Sequence, residues 1–243
     1  MLRKEIPVED RVSADPEKPA IVNKDRPLGI MEAFPTYVGL KDWNGVFDVE
    51  DINARLRRAI YRKQGEDPVG VYRSNTGGTW HSDLKLLKWA EVPELGQMFH
   101  NVFSSYATTL GVSKESEIAF TMQAWAMIYN DRGYSTVHTH PNCHFSSVYY
   151  VDNEVSEPIT MATGAKVHPG DIEFVDGRPA AGYQFPGVNF LPAFRLRPNA
   201  GEMIVFPSWL PHFVHPVVGK KDRICIACNA SIVKITDPKE GKK

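Results

Sequence analysis

IAFTMQAWAMIY, residues 118–129, opens the stretch that decides the fold. Six more segments of the same kind follow: YSTVHTH (134–140), HFSSVYYV (144–151), EPITMAT (157–163), GEMIVFP (201–207), HFVHPVV (212–218) and DRICIACNASIVKI (222–235). All are rich in β-branched and aromatic residues, and Gly, Pro, Asn and Asp separate them. Seven or more strands at this spacing predict a β-sandwich or jelly roll. The segment from about Val167 to Pro198 breaks the pattern. Its Gly and Pro content reads as a long insertion between strands, and such loops often line sites.

Before Ser116 the period is helical. Asp48 is placed to cap VEDINARLRRAIYRK, in which Ile52, Leu56 and Ile60 share one face. Ser82 is expected to cap a short helix bearing Leu84, Leu87 and Trp89. Pro93 suits a first helical turn. Leu95, Phe99, Val102, Tyr106 and Leu110 mark the face of the next helix, which Gly111 should stop. These helices are expected to cover one sheet face. The apolar run 30–40 reads as a further strand. Residues 1–28 read as a weakly ordered N-terminal arm, and 29–243 as a single domain, with 29–115 as support and 116–236 as the jelly-roll core.

Composition narrows the function classes. The 243 residues carry 28 Lys plus Arg and 29 Asp plus Glu, a net charge of −1. That balance excludes nonspecific nucleic-acid binding and a polybasic membrane surface. No run approaches the length of a membrane span, and MLRKEIPVEDRV lacks the apolar core of a signal peptide. The three cysteines, Cys143, Cys225 and Cys228, form no disulfide framework, so a cytoplasmic location is expected. Cys225 and Cys228 have C-x-x-C spacing but lie in a strand with no second pair, and read as ordinary strand residues.

The chemistry is concentrated in the histidines. His138, His140 and His144 lie in STVHTHPNCHFSS, and His212 and His215 lie in FPSWLPHFVHP. On a regular strand His138 and His140 point to one face, so both can bind one metal if another strand brings a third ligand. Imidazole suits iron, zinc, copper and nickel alike. His212 and His215 compete for the third place, since an offset of three puts them on opposite strand faces. His81, His100 and His168 read as surface or loop residues. Asp171 could offer a carboxylate, but nothing in its spacing demands it.

These segments together resemble the 2-oxoglutarate- and iron(II)-dependent oxygenases, whose core is a double-stranded β-helix, a cupin-like jelly roll. The resemblance rests on His138-Thr139-His140-Pro141-Asn142, Ser146-Ser147-Val148-Tyr149-Tyr150, Phe206 through His212, and Arg223 through Asn229. Upstream, Ser74-Asn75, Gly77-Gly78, Trp80, Ser82-Asp83 and Phe34-Pro35 also look like that branch. The resemblance implies Fe(II) held by His138, His140 and His212. It implies 2-oxoglutarate as cosubstrate, with Arg223 on its distal carboxylate, and O2 as co-reactant. A guanidinium suits that task because it grips a carboxylate with two parallel donors.

Tyr134, Ser146 and Tyr149 are of the right types to line a cosubstrate pocket, although Tyr149 and Tyr150 also read as plain strand residues, one in and one out. Cys225 stands where many relatives have a serine, and a thiol donates weakly. His140 stands where the commonest motif has a carboxylate, so three neutral ligands would leave a ferrous site at +2. Trp125, Asn142 and His144 are candidate substrate contacts, and Asn142 equally suits the tight turn after His140-Pro141. The implied activity is hydroxylation of a small metabolite or a peptide side chain. Arg73, Trp80, Arg178, Tyr183, Phe185, Arg195 and Arg197 lie on the loops that would choose the substrate. They lean toward an acidic one, although loop arginines are more often simply solvated. The alternatives are a three-histidine cupin-type dioxygenase or isomerase without 2-oxoglutarate, and a non-catalytic jelly-roll binding module. The pattern is compatible with a homo-oligomer formed through the N-terminal arm, and requires none.

Overall fold

The computed structural model describes residues 35–76, 78–154, 157–164, 166–178 and 193–237. The expected N-terminal arm lies outside these residues, as do Phe34, Gly77, Tyr183 and Phe185.

Thirteen strands and two helices are described. In chain order they are β1 (Gly39–Asp42), α1 (Val49–Glu66), β2 (Asn75–Thr76), β3 (Thr79–His81), α2 (Glu94–Thr109), β4 (Glu117–Tyr129), β5 (Tyr134–His138), β6 (Phe145–Asp152), β7 (Ile159–Thr160), β8 (Lys166–Val167), β9 (Ile172–Val175), β10 (Ala193–Leu196), β11 (Glu202–Pro207), β12 (His212–Val214) and β13 (Arg223–Thr236). The major sheet runs β1-β11-β6-β13-β4-β3 and the minor sheet β10-β9-β12-β5-β2, while β7 and β8 pair apart. Every strand pairing is antiparallel. Two antiparallel sheets enclosing a common core make the expected jelly roll.

The major sheet separates two cores by strand parity. On one face Ala124, Ala126 and Ile128 of β4, Tyr149 and Val151 of β6, and Ile224, Ile226 and Cys228 of β13 meet Ile52, Leu56, Ile60, Phe99 and Phe103 of the helices. On the other face Trp125, Met127, Tyr129, Val148, Tyr150, Cys225 and Ala227 turn toward Ile172, Phe174 and Val214 of the minor sheet. Cys225 and Cys228 therefore sit in different cores, and both are free thiols.

The helix signals are realised where capping chemistry supports them. The Asp48 carboxylate accepts from the Asp51 amide at 3.1 Å, which starts α1. Pro93 precedes α2, and Gly111 ends it at φ 107°, a conformation that favours glycine. Leu110, at the end of that face, is exposed. Ser82 starts no helix: its hydroxyl donates to Asp83 O and accepts from the Ala126 amide, joining β4, and the chain makes only a short 3-10 turn at Leu86–Lys88. Of EPITMAT, only Ile159–Thr160 is strand. The supposed insertion contributes β9 and β10 to the minor sheet, and β9 lies directly beside β12.

Candidate metal and cosubstrate site

The minor sheet brings the histidine segments together through a local irregularity. His138 of β5 faces His212 of β12, but Ser135 faces Val214, so β5 carries one extra residue over that interval. A bulge of this kind re-aims a side chain. It lets Ser135 and His138, three apart, both line one cavity of about 650 Å³. Strand β5 ends at His138, and His140 reaches the cavity from the turn beyond it. Asn142 holds that turn at φ 62°, a region asparagine tolerates well.

His138, His140 and His212 each offer one ring nitrogen, and these lie within 4.8 Å of one another. The second nitrogen of each ring is occupied. His138 Nδ1 donates to Thr136 O at 2.7 Å, His212 Nδ1 to Leu210 O at 2.9 Å, and His140 Nδ1 to Asn229 Oδ1 at 2.6 Å. Each acceptor is an oxygen with no proton to give, so Nδ1 carries the hydrogen and Nε2 keeps its lone pair. Burial lowers the proton affinity of all three rings, taking His140 down to about 4 and His212 well below its ordinary value. The cluster is neutral at pH 7, as metal ligands must be. Three converging imidazoles fit Fe(II).

Arg223 lies at the inner end of the same cavity, 1% exposed. Its guanidinium carbon sits 4.7 Å from the Tyr129 ring centre and 5.1 Å from that of Tyr150. One terminal nitrogen donates to Cys225 Sγ at 3.5 Å, a weak contact, and Nε has no hydrogen-bond partner. The Tyr150 hydroxyl is likewise buried without a partner. Among the described residues no Asp or Glu lines the cavity. A buried guanidinium without a counterion is costly, and a bound carboxylate would relieve that cost. The orphaned donors thus fit one end of 2-oxoglutarate.

The other expected site residues divide. Trp125 and Asn142 line the cavity, and Trp125 stacks with His81 at 5.6 Å and meets the His140 ring at 5.6 Å. Ser146 is buried and donates to Asn229 Oδ1 at 2.9 Å, so it reaches His140 only through that asparagine. Tyr149 points to the helices and donates to Asn53 at 2.7 Å; strand parity takes it out of the cavity. Tyr134 is exposed and does not line the cavity. His144 is exposed, and its Nδ1 accepts from the Ile232 amide at 3.0 Å, away from the cavity. His215 bonds Glu173 at 2.7 Å, and Asp171 pairs with Arg197 at 2.5 Å, so neither joins the histidine cluster. His81 is no surface residue: it is buried, lines the cavity, and is held neutral by desolvation. Tyr129, Ser135 and Tyr150 also line it. Their signal was available, because Tyr129 shares parity with Trp125, and Tyr150 is the alternate of Tyr149.

Residues 123–229, which include the three histidines and Arg223, match the family model described as "Putative 2OG-Fe(II) oxygenase". No curated protein matches the sequence. Among solved structures, a Pseudomonas putida prolyl-4-hydroxylase aligns with TM-score 0.52 and 13% identity, over 81% of this chain and 92% of that one. The α-ketoglutarate-dependent carbocyclase SnoK from nogalamycin biosynthesis gives TM-score 0.56 and 12% identity, over 83% and 82%. HygX of Streptomyces hygroscopicus, with nickel, 2-oxoglutarate and hygromycin B bound, gives 0.51 and 11%, over 82% and 84%. At such identities the likeness is one of fold. The family match and the contents of the cavity agree: the segment that builds this site is similar to the 2-oxoglutarate- and Fe(II)-dependent oxygenases.

Proposed function

We propose that the protein hydroxylates a small metabolite or a peptide side chain, with Fe(II) on His138, His140 and His212 and 2-oxoglutarate anchored by Arg223. The observation that carries this reading is the placing, in one cavity, of a neutral three-histidine cluster and a buried guanidinium that has no counterion among the described residues. Bound Fe(II) and 2-oxoglutarate supply, with O2, the oxidation of an unactivated C–H bond, giving succinate and CO2.

The chain's own part is placement. The three Nδ1–H donors fix the imidazole orientations before metal arrives, so little ordering remains on binding. The Arg223 fork and the Tyr150 hydroxyl receive a carboxylate between two aromatic faces. Met127, Ile172 and Val214 keep that end of the cavity apolar, which strengthens the charge pairing and excludes water. The activity named for the Pseudomonas putida neighbour is a prolyl hydroxylation, and it supports hydroxylation as the outcome here.

Anaerobic addition of Fe(II) and 2-oxoglutarate should produce the visible metal-to-ligand charge-transfer band. Arg223→Ala should lose the band while keeping iron. His212→Ala should lose iron, and His215→Ala should retain it. Iron binding without any band would favour a three-histidine oxygenase or isomerase that uses no 2-oxoglutarate. Absence of metal binding would leave a binding module.

A further inference from the structure

The mouth of the cavity carries a charge that metal and cosubstrate leave unused. Arg223 and Arg73 are the permanently charged side chains among its lining residues, and no Asp, Glu or Lys accompanies them. Arg73 is exposed, whereas Arg223 is buried. Its backbone amide donates to Asn75 Oδ1 at 2.7 Å, and the next residue's carbonyl, Ser74 O, accepts from the Thr136 amide at 2.9 Å. Asn75 pairs with Ser135, so continuing that antiparallel register sets Arg73 beside Val137, next to His138. Burial and then the field of Arg73 lower the proton affinity of His81, which places the guanidinium within electrostatic reach of the Trp125–His81 stack. Among the described residues the Arg73 guanidinium has no carboxylate partner.

With a divalent metal and the 2-oxoglutarate dianion in place, their charges cancel and the two guanidiniums remain. A concave site with this excess and no acid attracts anions and repels cations. The floor beyond the metal is polar. On β4 and β13, Gln123 faces Asn229 and Thr121 faces Ser231, and all four line the cavity. The Gln123 and Thr121 side chains make no hydrogen bond among the described residues, so both are available to a ligand.

We propose that the substrate is a small polar anion whose carboxylate or phosphate is bound by Arg73 at the mouth. Its chain lies along Thr121 and Gln123, and its reacting carbon is presented to the histidine cluster. This rests on the oxygenase reading above.

The test uses the full chain with Fe(II), 2-oxoglutarate and O2, and follows succinate formation. The probes are carboxylic acids and phosphate monoesters, each paired with its neutral amide or ester. The anions are expected to stimulate turnover at least about tenfold over their neutral partners, the scale of one charge-assisted hydrogen bond. Arg73→Gln should abolish that preference by raising KM with kcat largely kept, and Arg73→Lys should recover part of it. Stimulation by acids alone or by phosphates alone identifies the recognised group. Equal stimulation by neutral compounds, an unchanged KM in Arg73→Gln, or no stimulation by any anion overturns the inference while a charge-transfer band still supports the oxygenase. A wild-type protein without that band overturns the oxygenase reading itself.

Discussion

Asn229 decides how His140 is held. His138 and His212 lean on carbonyls two residues back in the chain, which no side-chain change removes. The acceptor for His140 is instead a side chain on β13, which also receives the Ser146 hydroxyl. Asn229→Ala should therefore lower Fe(II) affinity about 10- to 100-fold in a folded protein, while Asn229→Asp, which keeps an acceptor, should lose less. An Fe(II) titration of both variants checks this, and equal affinity for Asn229→Ala and wild type would show that His140 is oriented by something else. At this scale the sequence was informative about residue types and less so about directions. The H-x-H spacing pointed to two histidines that the structure brings together, but through a regular strand, whereas β5 ends at His138 and His140 stands on the turn beyond it. His81 gave no signal, because burial of a lone histidine depends on what folds over it.

At the scale of elements, the alternation of β6 separates a tyrosine that faces the helices from one that faces the cavity. Tyr149 fills the helix-facing core and satisfies buried Asn53, whereas Tyr150 faces Arg223 with its hydroxyl unpaired. Tyr149→Phe should cost about 1–3 kcal/mol in urea unfolding, since it strands the Asn53 oxygen, and should leave 2-oxoglutarate affinity unchanged. Tyr150→Phe should do the reverse: little or no loss of stability in the cosubstrate-free protein, and weaker 2-oxoglutarate binding by calorimetry. If the two variants behave alike, the parity assignment is wrong. Such parity was readable from the sequence only once one anchor per strand was known. Trp125 with Tyr129 and Arg223 with Cys225 follow the rule, and choosing Tyr149 over Tyr150 missed it by one position. β9 and β10 escaped detection for another reason. Each is four residues long, too short for alternation to stand out, and the pairing of β9 with β12 and of β10 with β9 supplies what local propensity does not.

For the whole molecule, burying three imidazoles in one place links stability to pH. In the folded, metal-free protein these rings resist protonation, while in the unfolded chain they take up protons near pH 6.5. The unfolded state thus binds more protons below that value. Stability should be complete above about pH 6.5 and fall as the pH drops toward 4, where His140 titrates. Urea midpoints of metal-free protein across that range should show the decline, and His140→Gln should flatten it; a wild-type midpoint constant from pH 7 to 4 would contradict the assignment. The central place of β13 has a different consequence, one for synthesis. It pairs with β4 along nearly all of its length and with β6 on its other edge, yet it follows both in the chain. A ribosome adding roughly 5–20 residues per second needs several seconds to travel from Asp152 to Arg223. Through that interval the two strands that will flank β13 have open edges, so the nascent chain must be shielded until its middle strand arrives.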